Sequence, residues 1–307
     1  MPDLLRVHKA LADPTRLRLV RLLARGPLSV NEIIEVLRMG QSRVSRHLKI
    51  LAEAGLVASR RQGTWIYYQV NPADPDPLVA DAVGLVQRHE HDVARYTEDL
   101  QSLEAVIERR REQTRTFFDG ITDPDALHPL INGDLYRRVA LSLLPEHCQA
   151  VVDLGTGAGL LLPGLLGRAD RVIAVDASTT MLELARRTAA ADAARCDFRL
   201  GDLGHLPVAD GEADAVMACM VLHHLSDPRG ALVEARRVLR PGGRLAIVDL
   251  QQHEDESLRD RMADLWLGFT PEEVEGWLRE LGFTIAGTEV IGHPGRHPLI
   301  AVKGQKP

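Results

Sequence analysis

Three carboxylates follow three apolar stretches in this chain, and their spacing suits a nucleoside. Asp153 closes the run AVVD, and Gly155, Gly157 and Gly159 follow at once. A glycine turn after a strand lets backbone approach a ligand where a Cβ would obstruct it. Alone, that turn would serve a dinucleotide equally well. Asp176 ends the next stretch, VIAVD, where both of its oxygens can grip a pair of ribose hydroxyls; Ala177 follows it. Asp202 stands just after FRLG, placed to accept from an adenine amino group. Such a carboxylate rim would repel the phosphates of a dinucleotide.

A second constellation lies near the start. At 100° per residue along Gln41 to Ala54, Val44, Leu48 and Leu51 share one face, and Ser42, Ser45, Arg46 and Lys49 share the other. A recognition helix in the DNA major groove needs this division. Its cations reach guanine edges or phosphates, and a terminal Gln41 can pair with adenine. Arg60 and Arg61 precede the Gln62-Gly63 turn, where they would meet DNA backbone or minor groove. His47 falls toward the apolar side and reads as a packed histidine. Charge is divided in the same sense: residues 1 to 70 carry +7 and the remainder −13. That split sets a polyanion-binding end apart from an acidic body.

Around these residues the pattern orders itself. Leucines recur through residues 4 to 24, with Asp13 as N-cap and Pro14 in a first helical turn. Ser29 and Glu32 form a capping box for a short helix, and Val57 to Val70 suits a two-stranded wing. The segments LADPTRLRLVRLL, GQSRVSRHLKILAEAGLV and RRQGTWIYYQV resemble the ArsR/SmtB winged-helix repressors. The resemblance implies a dimer on a double-stranded DNA operator of two-fold symmetry. Many such repressors sense metals. One common site uses a Cys-x-Cys pair where this chain has Ser29, Val30 and Asn31, and Asp81, His89 and His91 match a second site poorly. No metal is expected.

Beyond about residue 114, apolar strands (150 to 154, 171 to 175, 215 to 218, 244 to 248) alternate with helical stretches, so a doubly wound, mostly parallel sheet follows. AVVDLGTGAGLLLPGLL, VIAVDAS, FRLGDLGHLPV, VMACMVLHHL and VLRPGGRLAIVDL, in that order, resemble the class I S-adenosylmethionine-dependent methyltransferases. The resemblance implies S-adenosylmethionine or S-adenosylhomocysteine as ligand, whose sulfonium or thioether lacks a pyrophosphate. It places Asp153, Gly155 and Gly157 beside the methionine part and Asp176 on ribose. Asp202 and the Leu203 amide then read adenine, and Ala218 and Cys219 line the ligand. His223 and His224 read as packed histidines before catalytic bases. Arsenite methylation would need grouped thiolates, which Cys148, Cys196 and Cys219 do not obviously form.

Three segments are expected: a winged helix-turn-helix over 1–72, a linker and long dimerisation helix over 73–113, and a Rossmann-like methyltransferase-type domain over 114–307. Val79, Val86, Val93, Leu100 and Ile107 recur every seven residues, with Ala82, His89, Tyr96 and Leu103 at the complementary offset. This heptad seam predicts one helix over 78–113, roughly 54 Å long, paired with a second copy. No apolar run reaches membrane-spanning length, and the first residues lack the apolar core of a secretory signal, so a cytoplasmic protein with reduced thiols is expected. The reading is a transcription regulator, in sense a repressor, whose operator affinity follows the bound nucleoside. The alternative is a methyltransferase with a DNA-binding appendage.

Overall fold

The computed structural model describes residues 4–71, 76–123, 133–293 and 295–307. The chain forms two compact units, Met1–Arg110 and Arg111–Pro307.

In the first unit, α1 (Leu4–Leu11) and α2 (Pro14–Leu23) are separated at Asp13, whose carboxylate accepts from the amides of Thr15 and Arg16. After β1 (Leu28–Ser29), α3 (Val30–Leu37) opens with the full capping box of Ser29 and Glu32. Next come α4 (Gln41–Glu53) and the wing, β2 (Val57–Gln62) and β3 (Trp65–Val70). The wing strands pair antiparallel from Val57↔Val70 to Gln62↔Trp65, and Gly63 supplies the positive φ that the turn requires. β1 pairs with the other edge of β3. Leu19, Leu22, Ile33, Val44, Leu48 and Leu51 fill the core without exposure. This is the expected winged helix.

The seam departs from expectation. Two helices, α5 (Pro77–Arg88) and α6 (Tyr96–Asp119), replace the single one, with a 3-10 turn at Glu90–Asp92 between them. Residues 72–75 of the expected linker lie outside the described residues. The break is held by Arg21, which is 1% exposed and donates to the carbonyls of Glu90, Val93 and Arg95. Arg95 takes a left-handed conformation at φ +57°. Asp99, one turn into α6, accepts from Arg18 at 2.7 and 2.6 Å and from Arg21 at 2.6 Å. Val79, Ala82, Val86, Val93 and Leu103 of the seam are buried in the core of their own unit.

The boundary between the units falls inside α6. In the second unit α7 (Gly133–Leu143) leads into β4 (Cys148–Leu154), α8 (Leu162–Leu166), β5 (Ala169–Asp176), α9 (Thr179–Thr188), β6 (Cys196–Leu200) and β7 (Ala213–Cys219). α10 (Pro228–Val238), β8 (Leu239–Leu250), α11 (Ser257–Met262), α12 (Pro271–Glu280), β9 (Thr284–His293) and β10 (Arg296–Gln305) complete it. The seven-stranded sheet runs β6-β5-β4-β7-β8-β10-β9, parallel from β6 to β8 and antiparallel at β10 and β9. Strand order reverses between β4 and β7. Their carboxyl ends therefore flank a crevice, where ligands bind in open sheets of this kind.

Candidate functional site

The glycine turn begins where β4 ends. Gly155 has φ +65°, and a Cβ there would stand 2.3 Å from Val221 Cγ2, so only glycine is accommodated. Gly157 also has positive φ, but a Cβ there would meet nothing within 4 Å; it faces open space. Its amide donates to Asp176 Oδ2 at 2.8 Å, and the Ser178 amide donates to Oδ1 at 2.9 Å. A carboxylate oxygen accepts more than one hydrogen bond, so both atoms keep capacity for ribose hydroxyls. Ala177 is exposed beside it. Asp153 is 3% exposed and accepts from the Thr156 hydroxyl at 2.7 Å. Burial raises its pKa to about 7 against that hydrogen bond, and neighbouring Asp176 adds to the rise.

The end of α6 supplies residues that the motifs did not indicate. Arg111 Nη1 lies 3.1 Å from Asp202 Oδ2, while the Gly204 amide holds Oδ1 at 2.7 Å. Asp119 Oδ1 accepts from the Ser178 hydroxyl at 2.5 Å, next to the expected ribose carboxylate. Phe118 packs on Ala158, Met181 and Leu184, and its ring stands edge-on to His224. Asp202 is half-exposed and Leu203 buried behind it. Ala218 is wholly buried; Cys219, half-buried, ends β7, and burial holds its thiol well above the usual range. Cys148 and Cys196 begin β4 and β6, at the opposite end of the parallel strands from Cys219. No thiolate group is assembled among them.

A buried polar cluster follows β7. His223 Nδ1 lies 2.5 Å from Asp249 Oδ1, and the amides of Leu222 and Leu250 donate to the same carboxylate. Asp264 stands 3.8 Å from His223 Nε2 and 3.7 Å from His224 Nδ1. Burial disfavours a charge on His223, but Asp249 and Asp264 outweigh it and raise the pKa to about 9. Burial and the His223 charge lower that of His224. The cluster escaped the sequence because Asp264 belongs to no motif and lies forty positions past the histidines.

In the first unit the faces of α4 fall as the periodicity predicts. Gln41, Ser42, Ser45, Arg46 and Lys49 are exposed, and Val44, Leu48 and Leu51 buried. Arg61 is exposed on the wing, with its Nε donating to the Gly63 carbonyl, and Arg60 is half-buried. His47 is half-buried, 3.7 Å from Asp13, and burial lowers its pKa. Arg109 and Arg110 bind Glu35 and Glu32 of α3 through paired hydrogen bonds of 2.6 to 2.9 Å.

These two arrangements define a DNA-binding winged helix and a methyltransferase-type fold, and comparison with known proteins assigns each. Residues 13–59 match the bacterial regulatory protein arsR family, and residues 152–247 match the methyltransferase domain family. The chain joins an arsR-type DNA-binding domain to a methyltransferase domain. The arsenic resistance transcriptional regulator ArsR1 of Pseudomonas putida is 42% identical over 85 residues, 27% of this chain and 66% of that one. The arsenite methyltransferase of Halobacterium salinarum is 41% identical over 108 residues, 34% of this chain and 28% of that one. A 37.1 kDa protein in transposon TN4556 of Streptomyces fradiae is 36% identical over 168 residues, 53% of this chain and 45% of its own. The chain thus spans less than half the length of the last two relatives. Among solved structures, the complex of the Haloferax volcanii Trm112 methyltransferase activator with a methyltransferase matches at TM-score 0.54 and 22% identity, over 62% of this chain and 97% of that one. The N-methyltransferase NodS of Bradyrhizobium japonicum in complex with S-adenosyl-L-homocysteine matches at TM-score 0.50 and 16% identity, over 66% and 98%. At such identity the likeness is one of fold.

Proposed function

We propose that the chain is a transcription regulator of the repressor kind whose operator affinity follows S-adenosylmethionine or S-adenosylhomocysteine bound in the second unit. The observation that carries this reading is a pair of neighbours on α6. Arg110 engages Glu32, in the capping box of the helix preceding α4, and Arg111 engages Asp202, the carboxylate expected on adenine. A nucleoside that recruits Asp202 changes the partner of Arg111, and α6 continues directly into the contacts that hold α3. Asp153, Gly155, Gly157, Asp176, Ala177, Asp202, Leu203, Ala218 and Cys219 are the proposed ligand residues. The open space at Gly157 and the spare lone pairs of Asp176 fit such a ligand. Gln41, Ser42, Ser45, Arg46, Lys49, Arg60 and Arg61 are the proposed DNA contacts, made by a homodimer in the cytoplasm. Calorimetry with each nucleoside, paired with operator titrations in the presence and absence of each, tests the reading. Reciprocity requires that the factor by which ligand changes DNA affinity equal the factor by which DNA changes ligand affinity. An operator curve that moves with neither nucleoside would overturn it.

A second reading has its own support: His223, four residues beyond Cys219 of the proposed ligand wall, forms a buried hydrogen-bonded pair with Asp249 of β8. In that reading a bound sulfonium would supply a methyl group and His223 would position the acceptor. The scattered cysteines argue against arsenite as that acceptor. Turnover of labelled S-adenosylmethionine with a panel of small nucleophiles separates the two readings.

A further inference from the structure

We infer that His223, His224 and Asp264 form a binding site for a divalent transition-metal ion, with zinc the ion their donor set suits best. The inference is independent of whether the chain is a sensor or an enzyme. One donor atom from each residue lies within 4.8 Å of the others, and all three residues are buried. His223 Nε2 and His224 Nδ1 stand 3.8 and 3.7 Å from the same oxygen, Asp264 Oδ1. These gaps are too long for hydrogen bonds. Ligands of one tetrahedral ion, each about 2.0 to 2.2 Å from it, stand about 3.3 to 3.6 Å apart, so these atoms need close by only a few tenths of an ångström to meet an ion.

A second observation points to the same occupant. Asp264 is 3% exposed, and both of its carboxylate oxygens are buried without a hydrogen-bond partner. An unpartnered buried carboxylate is costly unless a cation meets it. The guanidinium of Arg259 donates instead to the backbone carbonyls of Asp264 and Leu265. The third observation concerns what lies behind the cluster. Asp249, wholly buried, receives His223 Nδ1 at 2.5 Å and is fixed by the Leu222 amide at 2.9 Å and the Leu250 amide at 2.8 Å. That contact holds the Nδ1 proton, so an ion entering beside Asp264 displaces the Nε2 proton of the imidazolium and takes up the lone pair it leaves. A carboxylate behind a histidine is how metal-ligating imidazoles are oriented and made more basic. His224 Nδ1 would release only a long 3.3 Å contact to the Ala263 carbonyl. Two imidazoles and one carboxylate leave a fourth position on the ion for water or an acceptor atom.

The test uses the full, tag-free chain, stripped with chelator and dialysed against Zn2+. One zinc per chain by elemental analysis is expected, with a Co2+-substituted protein whose visible absorption reports coordination by imidazole and carboxylate. Asp264→Asn should weaken binding at least tenfold. Asp249→Asn, which touches no ion, should weaken it about ten- to a hundredfold. Circular dichroism and an unfolding curve establish that each variant folds. Should they fail to fold, 15N histidine-ring spectra of the unaltered protein decide: zinc must move the ring resonances of two histidines to values of metal-bound imidazole. Substoichiometric zinc, binding undiminished in folded Asp264→Asn, or ring spectra that keep His223 as an imidazolium in excess zinc would each overturn the inference.

Discussion

The two units use charge in opposite ways. On α4, Arg46 and Lys49 stand in solvent and only the apolar face packs. At the strand ends of the second unit, Asp153 and Asp249 are withdrawn almost wholly from solvent and held by hydroxyl or amide donors. A surface that meets a long polyanion works through cations it need not desolvate beforehand. A crevice for a small ligand works through groups oriented in advance by their neighbours. The first kind of site is fixed by one helix's periodicity, the second by several chain crossings. An exception within the first unit is the cluster of Arg18, Arg21 and Asp99, whose charges are buried. It serves the break between α5 and α6 and touches no face expected on DNA.

That exception gives the largest expected effect. Asp99→Asn leaves two buried guanidiniums without their carboxylate, and loss of one partner of such a cluster costs about 3 to 5 kcal/mol. Urea unfolding should show that loss in the transition of the first unit. An unchanged midpoint would mean that the cluster is solvated in solution. Next come the two sites themselves. Asp176→Ala removes a charged acceptor and should weaken nucleoside binding by about 1.5 to 3 kcal/mol, read by calorimetry, with operator affinity of the ligand-free protein unchanged. Arg46→Ala or Lys49→Ala should weaken operator binding by about 1 to 3 kcal/mol where the contact is to a base edge, and leave nucleoside binding intact. Crossed effects, with Asp176→Ala acting on the ligand-free operator curve, would break the division between the sites.

Much of this division could be read from the sequence, for reasons that are local. The caps at Asp13 and Ser29, the two faces of α4 and the wing depend on residues within a few positions of one another. Strand ends marked by aspartate and glycine likewise placed Asp153 and Asp176. The break at residues 89 to 95 contains no proline or glycine, and a heptad pattern runs across it. It depends on Arg21, about seventy positions away, collecting three carbonyls. Val79, Ala82, Val86, Val93 and Leu103 of the seam that suggested a partner chain pack into the core of their own unit. Asp264 and Arg111 belong to the same class: each gains its meaning from a partner brought near only by the fold.

A pH titration sharpens the contrast between exposed and buried charge. Burial raises the Asp153 pKa to about 7, whereas the unfolded carboxyl titrates near the ordinary value of 3.8. Between these values the folded chain holds a proton that the unfolded chain has released. Stability from this group is therefore present at low pH and is lost as pH rises from about 4 to about 7. The slope is at most about 1.4 kcal/mol per pH unit. Denaturation curves across pH 5 to 7 should lose that slope in Asp153→Asn. No matching change is expected from Arg46→Ala, whose side chain is exposed in the folded chain.

The smallest energetic effect carries the most information about coupling. Arg111 and Asp202 are each about 40% exposed on their side chains, so their ion pair contributes little stability, of order 0 to 1 kcal/mol. Arg111→Ala should leave the unfolding curve nearly unchanged. Its consequence for the ligand depends on what Arg111 does once a nucleoside arrives. If the ion pair competes with adenine for Asp202, removal of the guanidinium raises nucleoside affinity by up to about fivefold, the factor that 1 kcal/mol represents. In the proposed regulator that competition would also be the step by which α6 registers the ligand, because Arg110 beside it is bound to Glu32. The variant should therefore bind nucleoside at least as well as the parent chain while its operator affinity responds less to that ligand. A thermodynamic cycle of four affinities, nucleoside with and without operator and operator with and without nucleoside, measures the coupling directly. A coupling free energy unchanged by Arg111→Ala would place the route between the two sites outside this ion pair, and intact ligand binding in the same variant would show that the crevice itself is undisturbed.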